Sequence, residues 1–572
     1  MTAKWSARTG GVPRTSDRPE HTGEPVRHPA DAADQATGEA RPASPASPAS
    51  PASPASPASP ASPASPASPG KATGANTAAT DEPAAQPTRR TPGPLDPAAL
   101  AGGVAGATAL APLIDLVLES LAKGTVERGG PTPAGSPAAI AAAAATAVEH
   151  NPLPDKGIGA EPALAELSRL IAMGSADPAD PRCAGHLHCP PLAIAVAAEV
   201  AAGAMNQSLD SWDQAPVATE LEPWVVRAMA ELVGYQPDQA GGVLTSGGTE
   251  SNLMGLLLAR EFAPTQRPRV YCSAAAHFSV QRNAGILGLG EDAVIPVPVT
   301  ADQRMDPAAL VATLMADRAG GYRPIAVVAT AGTTDFGVID PLPELAAIAT
   351  AHDAWFHVDA AYGGGALFSD RLAPLLRGLD LADSIAIDLH KFGWQPVAAG
   401  GFLTRRASAF DPLTRRVAYL NPTDDEDLGY RSLLGYSLRT TRRLDALKLA
   451  VTFRALGRTG LGVLVDACHD LAGHAATAID AHPRLVLAAR PVLSTVVFHF
   501  QARHRDPDQV NAALRRRLLT EGSAVVGRTE VDGRIRLKLT LLNPHATTAD
   551  VDALLALVVE AGEAEDTAEA TG

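Results

Sequence analysis

Three short stretches hold residues whose types and spacing suit covalent chemistry on a small molecule. In Ser384-Ile385-Ala386-Ile387-Asp388-Leu389-His390-Lys391, a lysine closely follows an apolar run that reads as a buried strand. An amine there is partly desolvated, and desolvation favours the neutral, nucleophilic form of a lysine. In His357-Val358-Asp359-Ala360-Ala361-Tyr362-Gly363-Gly364, an acid stands at the carboxyl end of another apolar strand, where ligands of such sheets sit. A carboxylate in that place can keep a ring nitrogen protonated. In Gly241-Gly242-Val243-Leu244-Thr245-Ser246-Gly247-Gly248-Thr249, a strand runs into glycines and hydroxyls and then into an amphipathic helix, Glu250 to Arg260. Glycines let the backbone approach an anion, and the free amides of a helix start bind it. The stretch has neither the lysine of a Walker loop nor the GxGxxG spacing of a dinucleotide fold. Each stretch alone has a plain structural reading: a capped turn, a helix N-cap, a surface lysine. Together, in the order phosphate cradle, acid, lysine, they describe a pyridoxal-phosphate site.

The elements that must position these residues alternate along the centre of the chain. Strands are expected at Val270–Cys272, Val294–Val299, Ile325–Thr330, Phe356–Asp359 and Ser384–Ile387, with helices near Val280–Leu289, Pro307–Asp317 and Leu342–His352. Strands buried on both faces and separated by helices make a largely parallel sheet. Residues 95–200 read as helices, Pro162 to Met173 among them, and 201–459 as the large cofactor-binding domain. From about Gly460 a smaller α+β domain, 460–572, is expected, with strands at Leu493–Phe500, Ala524–Val526 and Ile535–Leu541 and a helix at Gln509–Leu519.

Residues 42–68 are nine Pro-Ala-Ser triplets. Proline at every third position removes amide donors, and the flanks lack large apolar side chains, so 1–94 is expected to be a disordered tail. A net charge of −15 argues against nucleic-acid or anionic-membrane partners. No targeting segment is expected at the polar N-terminus. The apolar stretch Ala98–Ile114 is mostly Ala and Gly with Pro112, so it reads as a soluble helix or linker. Four cysteines in 572 residues do not make a disulfide framework, and a cytoplasmic location is expected. His186 and His188 with Cys183 and Cys189 lack a second ligand cluster, so no metal is expected, and that segment is read as pocket lining.

Over about residues 150–545 the chain resembles the group II pyridoxal-phosphate-dependent amino-acid decarboxylases, of the aspartate-aminotransferase fold (fold type I), a mostly parallel seven-stranded sheet with flanking helices. The resemblance lies in TSGGTESN at 245–252, AHFSV at 276–280, TAGTTDFG at 330–337, HVDAAYGG at 357–364 and DLHKFGWQP at 388–396. Segment 186–222 looks most like the L-2,4-diaminobutyrate decarboxylase branch. The resemblance implies that Lys391 holds the cofactor covalently and that Asp359 pairs with its ring nitrogen. Ala361 would pack beneath the ring and His277 stack on the other face. Gly248, Thr249, Thr333 and His390 would complete the binding set. Asp388 departs from branches that have Asn there, and an acid is an awkward direct phosphate ligand. The resemblance also implies a mobile loop with a catalytic tyrosine, here Tyr419, 28 residues after Lys391 in a polar stretch. A homodimer with sites at the interface follows from the same source.

The expected reaction is decarboxylation of a small amino acid to its amine and CO₂. A short cationic side chain would pair with one of Asp210, Asp213, Glu220 or Glu222, although Trp212 equally suits an aromatic substrate. Aromatic amino acids and glutamate are alternative substrates. The rival reaction is transamination, with Arg534 and Arg536 clamping a carboxylate; the rival class is an inactive scaffold.

Overall fold

The computed structural model describes residues 95–147 and 153–568. The expected tail and its Pro-Ala-Ser triplets lie outside the described residues. Eleven strands are present among the described residues: β1 Gly241–Thr245, β2 Pro268–Ser273, β3 Val294–Val297, β4 Arg323–Thr330, β5 Trp355–Ala360, β6 Ser384–Asp388, β7 Gly400–Thr404, β8 Leu485–Leu487, β9 Thr495–Phe500, β10 Gly527–Val531 and β11 Arg534–Thr540.

The first seven form one sheet in the order β1-β7-β6-β5-β4-β2-β3. Strand β7 runs antiparallel to both its neighbours, and the rest of the sheet is parallel. Every residue of β5 and of β6 is buried, as strands sandwiched between helix layers require. One face packs Val225 and Met229 of helix Ala218–Leu232 and Leu345 of helix Leu342–Ala351. The other packs Met254 and Leu258 of helix Gly248–Phe262 and Val280 of helix Ser279–Ile286. Register brings Thr330 of β4 opposite Asp359 of β5, and Asp359 opposite Ala386 of β6, so the carboxyl ends of three strands meet in one place.

The second sheet, β10-β11-β9-β8, is antiparallel and has its own core, with Phe498, Phe500, Leu514, Leu537 and Val558 buried in it. Helix starts are capped locally. Asp306 precedes Pro307 and accepts from Ala308 and Ala309 amides, Asp506 precedes Pro507 and accepts from Gln509, and Thr547 forms a capping box with Asp550. Such caps contribute about 1 kcal/mol each.

Several expected boundaries move. The divisions at 200/201 and 459/460 fall inside helices Ala193–Met205 and Ala446–Ala481; in the latter, Gly457 breaks the helical dihedrals with φ 62°. At Ala524–Val526 there is no strand: Val525 makes an isolated bridge to Cys183, and the ladder begins at Gly527, where β10 pairs with β11. The stretch 98–114 becomes the start of helix Gly106–Arg128, and no helix among the described residues is long and apolar enough to cross a membrane. The two sheets are locked together near the strand ends. Trp394 Nε1 donates to the Leu542 carbonyl at 2.8 Å, and Tyr362 Oη bonds Ser494 Oγ at 2.9 Å and Thr495 Oγ1 at 3.0 Å.

Candidate active site

A cavity of about 280 Å³ opens at the carboxyl ends of β4, β5 and β6, lined by the N-terminus of helix Gly248–Phe262 and by the turn after β6. Lys391, Asp359, Ala361, His277, Gly248, Thr249 and His390 all line it. These residues come from four separate stretches of chain, and only the sheet brings them together.

Lys391 reaches the cavity from a tight turn. The Leu389 amide donates to the Ala399 carbonyl at 2.7 Å, Gln395 N donates to Leu389 O at 3.0 Å, and Cys189 Sγ donates to His390 O at 3.2 Å. Its Nζ lies 2.8 Å from Asp388 Oδ2, with the lysine side chain 19% exposed and the aspartate 3%. Asp388 also faces His390 Nε2 at 3.5 Å. Burial holds the His390 imidazole below its usual pKa, while Asp388 pulls the other way. The acid doubted as a phosphate ligand is thus the ion-pair partner of the lysine.

Asp359 is buried; its Oδ1 accepts from the Ala361 amide at 3.1 Å and its Oδ2 from Asn252 Nδ2 at 2.7 Å. His277 is held by Ser279, whose hydroxyl lies 2.8 Å from His277 Nδ1. Burial lowers the His277 pKa, partly opposed by Asp359.

Two features of the cavity test whether pyridoxal phosphate suits it. First, Gly247, at the N-cap of helix Gly248–Phe262, has φ 151°, and no side chain caps the helix start, so its amides are free to meet an anion. A Cβ on Gly248 would come within 2.9 Å of Ala361 Cβ and 3.2 Å of Asp388 Oδ2, so the backbone approaches the cavity as closely as only glycine permits. Second, Asp359 is a buried carboxylate that lines the cavity, where it can accept from a ring N–H. Cradle, acid and amine fit the cofactor's phosphate, ring nitrogen and carbonyl carbon.

Other expected residues lie elsewhere. Thr333 is buried beneath the loop, where its hydroxyl accepts from the Val338 amide at 3.3 Å; Gly332 and Thr334 on either side line the cavity instead. Tyr419 is 81% exposed and does not line the cavity. Of the four candidate acids, none lines it. Asp210 accepts from Gln214, Asp213 from Ser211, Glu220 is exposed in a first helical turn, and buried Glu222 pairs with Arg442 at 2.6 Å. Trp212 stacks edge-on against Tyr430. Arg534 pairs with Asp508 at 3.2 Å and Arg536 bonds the Ile535 carbonyl, so neither clamps a carboxylate in the cavity. From segment 183–189, Leu187 contributes to the lining.

Ser246 of the expected cradle lines the cavity too, and so do Asn252, Thr330 and Tyr362, which carried no expected role. The position of Asn252 was readable: it stands one helical turn after Gly248, on the face turned to the sheet.

The pyridoxal-dependent decarboxylase conserved domain matches residues 148–501. An L-2,4-diaminobutyrate decarboxylase from Rhizobium meliloti (strain 1021) is 44% identical over 416 residues, covering 72% of this chain and 83% of that protein. One from Acinetobacter baumannii is 36% identical over 443 residues, covering 73% and 87%. Among solved structures, the glutamate decarboxylase domain of diaminobutyrate-pyruvate transaminase and L-2,4-diaminobutyrate decarboxylase from Vibrio parahaemolyticus has a TM-score of 0.72 at 34% identity, covering 81% of this chain and 97% of that one. With the cradle, acid and lysine converging in one cavity of a fold type I sheet, the chain belongs to the pyridoxal-dependent decarboxylase family and is a pyridoxal-phosphate-dependent carboxy-lyase acting on an amino acid.

Proposed function

We propose that the substrate is L-2,4-diaminobutyrate, converted to 1,3-diaminopropane and CO₂. The carrying observation is the likeness to two L-2,4-diaminobutyrate decarboxylases, 44% and 36% identical to this chain. With Asp359 given to the ring nitrogen and Asp388 beside Lys391, the lining is compatible with it: Lys391 is the only Lys or Arg among the described lining residues and the cofactor takes it, so a side-chain carboxylate would find no free cation there.

Lys391 would hold the cofactor at Nζ, with Asp359 at its ring nitrogen. Gly248, Thr249 and His390 would sit at its phosphate, and Ala361 and His277 against its two faces. When bound, the cofactor supplies an electron-accepting ring that takes up the electron pair left as the carboxylate departs. Asp359, whose two oxygens accept from the Asn252 and Ala361 donors, would face the ring nitrogen and hold its proton. His277 and Ala361 would fix the ring's orientation and with it which substrate bond is broken, a positional effect. Tyr419 returns a proton to Cα. It would do so in the second subunit of a homodimer, since the loop carrying it points its side chain to solvent in its own subunit. The exposed Leu118, Val126, Leu167 and Ile171 of the N-terminal helices are compatible with such an interface. A cytoplasmic location would suit the four cysteines, which are all free and three of them buried.

The test is kcat/KM for CO₂ release from L-2,4-diaminobutyrate, lysine, tyrosine and glutamate under one set of conditions. Diaminobutyrate is expected to lead. If tyrosine or glutamate exceeds it tenfold, about 1.4 kcal/mol in transition-state binding, the cationic-substrate reading is wrong and the decarboxylase assignment stands.

A further inference from the structure

We propose that Asn252 is a positioning residue whose single amide orients the Asp359 carboxyl group as an acceptor and, through Ser279, keeps His277 in the tautomer with its proton on Nε2. The proposal rests on the cofactor placement given above. It follows from counting donors along one buried chain of hydrogen bonds.

The chain starts at a group that can only donate. Trp355 Nε1 lies 2.8 Å from Ser384 Oγ, and an indole N–H has no acceptor function. Ser384 Oγ therefore accepts there, and we assign its own proton to His357 Nδ1, 2.8 Å away. His357 is completely buried and pushed down to about 4 by that burial, so it is a neutral ring with one proton. With Nδ1 accepting, the proton is on Nε2, which donates to Asn252 Oδ1 at 2.9 Å. The amide is now oriented: its Nδ2 faces Asp359 Oδ2 at 2.7 Å and Ser279 Oγ at 3.1 Å, and both N–H bonds are used. Asp359 receives from Asn252 on Oδ2 and from the Ala361 amide on Oδ1, so both of its oxygens are engaged as acceptors. Ser279 Oγ, already accepting, gives its proton to His277 Nδ1 at 2.8 Å, and the Ser279 backbone amide points to the same nitrogen at 3.3 Å. That leaves Nε2–H as the donor His277 offers to the cavity.

One consistent polarity thus runs through all six links, anchored by the Trp355 indole at one end and by the Ser279 backbone amide on His277 Nδ1 at the other, and His357 and Asp359, two residues apart on one face of β5, share the same amide. A protonated His357 would put a cation beside the ring nitrogen's own proton, and its burial prevents this. The charged groups facing His277 are Asp359 from β5, Asp388 and Lys391 from the end of β6 and the turn after it, and Arg282 from its own helix.

Neutron diffraction from deuterium-exchanged, cofactor-loaded crystals at neutral pH reads the arrangement directly. Deuterons are expected on Nε2 of His277 and of His357, with none on either Nδ1 and none bonded to Asp359. A deuteron on His277 Nδ1 or on the Asp359 carboxyl overturns the proposal. If the same map puts the cofactor elsewhere than between Ala361 and His277, the placement fails while the proton positions are still read. In solution, Ser279→Ala removes one donor that favours neutral His277, so the histidine's pKa rises. The acid limb of the kcat/KM profile is then expected to move up by about half to one pH unit, with the thermal midpoint unchanged. An unmoved limb overturns the Ser279 link.

Discussion

Lys391 and Asp388 form the one ion pair inside the cavity among its described lining residues, so a change at either is felt first in the chemistry. Lys391→Ala is expected to lower turnover by roughly three orders of magnitude or more, with the far-ultraviolet circular dichroism unchanged. Steady-state CO₂ release by this variant at the wild-type rate would remove Lys391 from the mechanism. Asp359→Asn is the companion at the other end of the ring. It keeps an acceptor for the Ala361 amide but not the charge, and kcat is expected to fall more than KM rises, because the charge matters where electrons accumulate in the transition state.

At the scale of elements, the start of helix Gly248–Phe262 and the strand β5 do the positioning. Gly248→Ala drives a methyl to within 2.9 Å of Ala361 Cβ, and overpacking of this kind costs about 1–3 kcal/mol. Cofactor affinity, read from an absorbance titration of the apo-protein, is therefore expected to weaken about 10- to 100-fold. Unchanged affinity would mean that the helix start is not the cradle. Strand β5 carries His357, whose pKa is about 4 in the folded protein against 6.5 as the reference. The native state binds fewer protons than the unfolded chain between those values. The stability this histidine contributes is present above pH 6.5 and is lost as the pH falls towards 4, on the order of 3 kcal/mol in all. Urea midpoints from pH 7 to 4 should trace that slope, and His357→Gln should flatten it. A variant with the same slope would assign the acid sensitivity to other groups.

At the scale of the whole molecule, the position of Tyr419 decides how sites are composed. It is exposed, outside the cavity of its own subunit, and in a stretch with only a short helix, Thr423–Asp427. Mixing Lys391→Ala protein with Tyr419→Phe protein under conditions of subunit exchange gives hybrids in which one site regains both groups only if the tyrosine acts across the interface. Recovery to about a quarter of wild-type activity is then expected for a symmetric dimer. No recovery, with hybrids verified by mass, would return Tyr419 to its own subunit or remove its role.

The strand–helix alternation and the motifs ending in Thr249, Ala361 and Lys391 were legible in the residues themselves. Continuous apolar runs and glycine turns are local physics, written within a few residues of where they act. Short-range pattern also put the lysine and the acid at strand ends, and the parallel register then delivered both to one cavity. What pattern could not decide was which way a side chain faces once a turn is packed. Thr333 and Thr334 are equivalent in sequence, yet the closure of loop 331–339 buries one and leaves the other lining the cavity. The acids at 210–222 read as candidate ammonium partners until Arg442, 220 residues from Glu222, took that carboxylate for itself. The relay from Trp355 to His277 joins four strands and helices, and its links span up to 107 residues. Each member is an ordinary polar residue in sequence. Only a dry interior, where every donor must find an acceptor, gives the set a direction.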